Sequence, residues 1–439
     1  MFENLLGQNV SARLIQDIEA GVLAPAMLFS GPPASGKGTA ALELARVRSC
    51  GSDASWSCQC SACSRHRLLV HPDLLCLGWK PFSAEIAASA EAFLSEPENA
   101  SSRLFFIRSV RKLLARFNPI LWDDEPKGKT LFPLVNSLEE SLDDLDSLTK
   151  ASSNVNKLVD GMLKNAFKLE SDGISASIPI AQLRRAAYWS RLAPQGKEKL
   201  LVIENADRMQ EEARNSLLKL LEEPPAHSRY VLCSARPGSL PSTVLSRLRP
   251  YRFISRDAAV EAEVIRRVFK GKTTEGGISA YLDSFLPVSP DTLEALAVFF
   301  TASVAYKAAL LSKKQGRSIS DEVVLLGKSS APKAEAVGLG RPTGDSAAVI
   351  ALVLEKAQKF EVRFLFSRFL YFLLEQVSAS QKQSPAAKLR PAYYEMWRDC
   401  ISWAENAVGV YNLKPAVVIE KLFTDLSREM ASLSDGSAL

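Results

Sequence analysis

Residues 25–50 read PAMLFSGPPASGKGTAALELARVRSC. The apolar run from Met27 to Phe29 suits a short buried strand. The Gly- and Pro-rich segment after it suits a turn, and the Ala- and Leu-rich segment from about Lys37 suits a helix. GPPASGKG fits G-x-x-x-x-G-K at Gly31, Gly36 and Lys37, between a strand and a helix, where that spacing has mechanical meaning. The expected phosphate cradle is the turn Gly31, Pro32, Pro33, Ala34, Ser35 and Gly36, followed by Lys37, Gly38 and Thr39 at the helix start. Backbone N–H groups there surround an anion, the glycines allow close approach, and Lys37 adds a point charge. The plainer reading is a turn that merely joins strand to helix. Magnesium-dependent sites want Ser or Thr right after the lysine, and here Gly38 has no hydroxyl. Thr39 points about 100° away on a helix and cannot simply stand in.

Working outward, KLLVIENAD (199–207) and RYVLCSA (229–235) read as strands, and EEARNSLLKLLEEPP (211–225) as an amphipathic helix stopped by two prolines. Strands alternating with helices imply a parallel sheet, an α/β fold. Between Phe82 and about Ser177 the pattern changes to mixed-charge helical stretches, SSRLFFIRSVRKLLARF and SLEESLDDLDSLTKASSNVNKLVDGMLKNAF, expected as a helical insertion. After Phe253 every patterned segment, AAVIALVLEKAQKFEVRFLFSRFLYFLLEQV among them, fits a helix. The expected organisation is a nucleotide-binding domain over 1–254, a helical lid over 255–287 and an all-helical domain over 288–439. GKSSAPKAEAVGLGRPTGDS (327–346) is expected as a mobile linker.

The strand end LLVIENADRM (200–209) is short of acids. A phosphate-loop ATPase commonly carries there an acid that holds magnesium through water, followed by a glutamate that orients the attacking water. Glu204 can do the first job; Asn205 cannot act as a base. Asp207 is an alternative acid, and solvation of a strand end is the plainer reading of Glu204 and Asn205. Two contributors to hydrolysis are impaired, so little or no turnover is expected.

The 439-residue chain is 47% hydrophobic, enough for a sizeable core, and its formal charge of +5 does not by itself argue for nucleic acid. The start MFENLLGQNV lacks a basic segment followed by an apolar one, and the longest apolar run, Ala295 to Tyr306, is too short for a bilayer, so the expectation is a cytoplasmic protein without membrane contact. Of seven cysteines, Cys50, Cys58, Cys60 and Cys63 cluster directly after the phosphate-loop helix. Four thiolates suit a closed, structural zinc site, with His66 as an alternative ligand and free thiols as the plainer reading.

A phosphate-loop helix running into a four-cysteine knuckle, then HPDLL (71–75), NSLLKLLEEPP (215–225) and LPSTVLSRLRPYRF (240–253), resembles the bacterial DNA polymerase III clamp loader, an AAA+ assembly. MFENLLGQ and NLKPAVVIEKLF (412–423) are similar to the first and last signatures of its gamma/tau and delta-prime subunits. The resemblance covers about residues 1–80, 178–255 and the C-terminal end; the insertion departs from it. By position it makes Arg247, within Ser246-Arg247-Leu248, the candidate arginine finger acting in trans on a neighbour's ATP. It puts the polar sensor at Ser234, or one residue later at Ala235. A degraded site with a retained trans-acting arginine resembles the delta-prime subunit. The resemblance then implies partner subunits of gamma/tau and delta type in a hetero-oligomeric ring, a sliding clamp, primer-template DNA reached through the assembly, and a collar built from the C-terminal helices. It implies zinc in the knuckle, ATP binding at most, and a weak case for magnesium.

Three other readings stand beside it. The chain is an active gamma/tau-type motor with Glu204 on magnesium, or a scaffold whose arginine is idle. GPPASGKGT also looks like the loop of a nucleoside monophosphate kinase, in which LLKLLEEPP and SRL have no place.

Overall fold

The structure, a computed structural model, describes residues 1–123, 125–147, 153–175, 177–209, 211–272, 276–360, 363–383, 391–409, 411 and 413–432. Residues 148–152 and 361–362, both inside stretches expected to be helical, and Asn412 of the last signature lie outside these. Two compact units result, Met1–Phe285 and Leu286–Leu439.

The first unit is built on five parallel strands: β1 (Ala26–Ser30), β2 (Leu74–Leu77), β3 (Lys199–Ile203), β4 (Ser228–Ser234) and β5 (Arg249–Arg252), in the order β2-β3-β4-β1-β5. Every residue of β1, β2 and β3 is buried, as a parallel sheet covered on both faces requires. Helices α1 (Val10–Glu19), α2 (Lys37–Ser49) and α3 (Ser61–Arg67) precede β2. The sheet, α2 and the knuckle share one core, with Phe29, Leu44, Val202 and Val231 beside Cys50, Cys58 and Cys63. The turn after β1 and the end of β3 both lie at the carboxyl edge of the sheet, where open α/β sheets place their ligands.

Between β2 and β3 stand α4 (Ser83–Ser95), α5 (Ala100–Leu114), the short α6 (Pro119–Trp122), α7 (Gly128–Ser147), α8 (Ser153–Gly173) and α9 (Ile180–Arg191). The insertion has its own apolar interior, where Phe93 and Phe106 stack 5.8 Å apart. Within it, α8 is tied to the start of α4 by the buried Glu170, whose carboxylate accepts from the backbone N–H groups of Phe82 (3.0 Å) and Ser83 (2.7 Å). After β3 come α10 (Glu211–Glu222), which stops before Pro224 and Pro225, then α11 (Ser242–Leu245), α12 (Ala258–Val264) and α13 (Gly277–Asp283).

The second unit comprises α14 (Pro290–Lys314), α15 (Asp321–Ala336), α16 (Ser346–Lys356), α17 (Arg363–Gln383), α18 (Pro391–Gly409) and α19 (Pro415–Ser432). α14 is its axis: Phe300 lies edge-on to Phe369 at 5.7 Å and to Phe423 at 5.5 Å. Two expectations need correction here. The apolar run at 295–306 is part of a 25-residue helix that by length and composition is sufficient to cross a membrane. Most of its apolar window is buried by the surrounding helices, which accounts for the hydrophobicity without a bilayer. The linker expected at 327–346 is helical as far as Ala336. Ser320 caps the helix, accepting from the Val323 N–H (3.4 Å), and Val323, Leu326, Ser330 and Ala334 form a buried stripe. Pro332 is accommodated on the exposed side, leaving 337–345 as the connection.

Candidate functional site: the phosphate-type turn and the cysteine knuckle

The turn after β1 has the backbone that its glycines promise. Gly31 has φ 153°, Ala34 φ 55° and Gly36 φ 93°. At Gly31 a side chain is impossible, since a Cβ would lie 2.4 Å from the Phe253 carbonyl. Lys37 folds back over the turn, its Nζ donating to the carbonyls of Gly31 (2.7 Å) and Pro32 (2.5 Å). Burial holds its pKa below the usual lysine range. Arg256 braces the turn from outside by donating from Nη1 to the Ala34 carbonyl at 2.5 Å and from Nε to the Leu6 carbonyl at 2.9 Å.

Glu204 stands at the end of β3 with its backbone N–H donating to the Leu77 carbonyl at 2.9 Å. Its side chain reaches the start of α2: a Cβ on Gly38 would lie 2.5 Å from Glu204 Oε1. The missing hydroxyl of the sequence is thus a missing side chain whose space the carboxylate fills. The other oxygen, Oε2, accepts from Nη2 of Arg116, a residue of the insertion that is 6% exposed. Arg116 Nε also donates to the Gly78 carbonyl at 3.1 Å. Asn205, with φ 49°, donates from Nδ2 to the Trp79 carbonyl at 2.6 Å. Asp207, the alternative acid, accepts from Ser234 Oγ at 2.7 Å and from Arg236 Nη2 at 3.1 Å. Ser234, at the end of β4, therefore points its hydroxyl into this group and also accepts from the Arg236 N–H at 3.0 Å. The residues do not fit a divalent cation of the kind phosphate-loop ATPases use: there is no hydroxyl after the lysine, Glu204 beside the turn is held by the Arg116 guanidinium, and Asp207 is held by Arg236 and Ser234.

The knuckle does fit a metal. The Sγ atoms of Cys50, Cys58, Cys60 and Cys63 all lie within 4.8 Å of one another, with Cys50 3.7 Å from Cys58 and 3.9 Å from Cys60, too far apart for a disulfide. These four thiols could hold zinc in a closed, structural site. Backbone N–H groups of Cys63 and Gly51 pull the Cys60 thiol down to about 6. His66, weighed above as an alternative ligand, is turned elsewhere: its Nε2 lies 2.9 Å from Ser49 Oγ and its ring stacks 4.1 Å from His71. Burial, then the neighbouring His71, Arg46 and Arg108, push His66 down to about 3.

Charged residues that the sequence did not single out connect these parts. The buried Glu43–Arg46 pair (3.0 Å) lies under the knuckle, and Arg46 donates to the carbonyls of Ser55 (2.6 Å) and Ala54 (3.1 Å). On α5 and the turn that follows it, Arg108, Lys112 and Arg116 repeat every fourth residue. Arg108 donates to the His66 carbonyl (3.3 Å) and to that of Arg67, and lies 5.4 Å from the Trp56 ring. Lys112 and Lys80 both pair with Glu85, holding it well below the usual carboxylate range although burial opposes this. Such a stripe on a helix usually faces solvent, so its spacing alone gave no signal.

Arg247, just after α11, is one-third exposed and pairs through Nη2 with Glu222 Oε1 at 2.6 Å. It also donates to the Thr243 carbonyl at 2.6 Å.

A parallel sheet in the order β2-β3-β4-β1-β5 with a glycine turn after β1, a cysteine knuckle after the turn's helix and a helical C-terminal unit define a fold of AAA+ type. The chain belongs to the family described as DNA polymerase III, delta subunit, whose family model matches residues 7–257, and it is a clamp-loader-related subunit. It is 37% identical over 71 residues to the DNA polymerase III subunit tau of Salmonella typhimurium, a match covering 16% of this chain and 10% of that protein. It is 31% identical over 100 residues to the DNA polymerase III subunit delta' of Bacillus subtilis, covering 23% of this chain and 30% of that protein. These matches span less than a third of either relative. A solved gamma subunit-related protein of Thermotoga maritima aligns with 58% of this chain and 80% of its own at 17% identity, with a TM-score of 0.22.

Proposed function

We propose that this chain is the delta-prime-like member of a DNA polymerase III clamp loader, helping place a sliding clamp on primed DNA during replication. In this reading it turns over little or no ATP itself and lends Arg247 to the nucleotide of a neighbouring subunit. The observation that carries the reading is the Glu204 carboxylate, packed on Gly38 and paired with Arg116, which leaves the chain's own pocket without a metal platform. Asn205 adds no base. Arg247 supports the second half: its partner Glu222 is a half-exposed residue, and surface pairs of this kind hold only about 0–1 kcal/mol, so the guanidinium exchanges readily onto a phosphate. An arginine supplied in trans is worth roughly 10³ to 10⁵ in rate.

The partners in this reading are gamma/tau-type motors and delta in a hetero-oligomeric ring, the clamp, and primer-template DNA through the assembly, all in the cytoplasm as part of a polymerase holoenzyme. Zinc is structural; ATP is at most bound without turnover. A second reading, a hydrolysing gamma/tau-type subunit, is favoured by the matches to tau and by the intact glycine turn. Reconstitution with candidate motor and delta subunits tests the choice. Clamp loading on primed DNA should fail when this chain is omitted, while the purified chain alone shows no turnover; steady ATP hydrolysis by the chain alone supports the second reading.

A further inference from the structure

The insertion departs from the resemblance, yet its Arg116 reaches the Glu204 carboxylate of the pocket. We propose that Arg116 takes the place of the divalent cation beside Glu204, so that the insertion and not a metal balances the charge of this chain's own nucleotide pocket. This rests on the reading of the turn as a nucleotide pocket.

The geometry is that of a fixed counter-ion. Arg116 is buried, its Nε is committed to the Gly78 carbonyl and its Nη2 to Glu204 Oε2. Its guanidinium lies 5.2 Å from the Phe82 ring, and its own carbonyl accepts from Trp122 Nε1 at 2.7 Å, so side chain and backbone are both held. One Glu204 oxygen is paired with Arg116, and the other occupies the space that a residue-38 side chain would fill. Gly78, with φ 95°, is the concession that allows the approach, since a Cβ there would lie 2.0 Å from the Glu204 carbonyl oxygen. A divalent cation entering this corner would meet the Arg116 guanidinium, with the Lys37 ammonium on the adjoining turn, and hard cations need oxygen ligands in place of positive neighbours. The same stripe anchors Arg108 against the knuckle and Lys112 on Glu85, so the counter-ion is placed by the packing of the whole insertion. Gly38, Glu204, Gly78 and Arg116 thus form one co-adapted set, in which loss of the hydroxyl makes room for the carboxylate and the arginine neutralises it.

The test uses the full-length chain with two probes, Mn2+ alone and ATP with or without Mg2+. The variants are Arg116→Met, which keeps the stem length over Phe82, and Arg116→Met combined with Glu204→Gln. Wild type should bind no Mn2+, and any ATP binding should be indifferent to Mg2+. Arg116→Met should take up one Mn2+ and lose it in the double variant, and Mg2+ should then tighten its ATP binding by about tenfold or more. Arg116→Lys, a conservative variant checked by melting alongside, should behave as wild type. Mn2+ binding by wild type that Glu204→Gln abolishes overturns the proposal even if Arg116→Met does not fold. Silence in both wild type and a folded Arg116→Met overturns it as well, because Arg116 would then exclude nothing. None of these outcomes depends on Arg247, so the proposal and the ring reading fail separately.

Discussion

Arg247 Nη2 lies 2.6 Å from Glu222 Oε1, joining the second residue after α11 to the last residue of α10 on the outside of the sheet domain. The pair is one-third to one-half exposed, so it positions the guanidinium more than it stabilises the fold. Glu222→Gln and Arg247→Ala should each change the unfolding free energy by less than about 1 kcal/mol, measured by urea titration. A larger loss at Arg247 would make it a structural residue and weaken any catalytic reading of its variants.

The Glu43–Arg46 pair is the opposite case. Both side chains are 1–2% exposed, and removing Glu43 leaves the buried Arg46 charge with the longer contact to the half-exposed Glu3 at 3.8 Å and two backbone carbonyls. Glu43→Ala should cost about 3 to 5 kcal/mol in urea unfolding. Arg46 donates to two knuckle carbonyls, so Arg46→Met should also loosen metal retention, read as faster zinc loss to a chelator.

For the knuckle, the purified chain should carry one zinc per molecule by elemental analysis, and Cys63→Ser, at a fully buried ligand, should carry none. Chelation should lower the melting temperature of the first unit, with a loss of stability that is a fraction of the roughly 10–16 kcal/mol that zinc contributes to isolated fingers, since three of these cysteines also pack on the sheet core. A full complement of zinc in Cys63→Ser would refute a four-thiolate site.

His66 gives a pH dependence of defined sign. Its folded pKa is near 3 against an ordinary 6.5, so the unfolded chain binds the extra proton between these values. Its contribution is complete above pH 6.5 and falls as pH drops toward 3, by about 1.4 kcal/mol per pH unit once below 6.5. His66→Phe, which retains a ring against His71, should flatten unfolding curves between pH 6.5 and 5.5 relative to wild type. Parallel curves would place the sensitivity elsewhere.

Local chemistry made much of the first unit legible. The strand, turn and helix at 25–50 came from apolar runs and glycine spacing, and β3 and β4 from buried apolar patterns of the same kind. β5 carries Arg249, Pro250 and Arg252, which an edge strand tolerates but which do not advertise a strand. β2 is only four residues long. The cysteine cluster was visible because its density is rare in a core. Arg116, Arg108 and Arg46 were not, because a buried counter-ion and a solvated one look alike until the chain has folded around them. The helical part of 327–346 hid behind Ala, Gly, Ser and Pro, whose meaning there is set by the packing of Val323 and Leu326 next to them.

The central claim is that this chain spends its arginine on a neighbour and little on itself. It is tested most directly by the DNA-stimulated ATPase rate of a reconstituted loader carrying wild type, Lys37→Ala or Arg247→Ala. The account predicts a fall of roughly 10³-fold or more at the neighbour's site for Arg247→Ala and little change for Lys37→Ala. A rate indifferent to Arg247 but abolished by Lys37→Ala would contradict it.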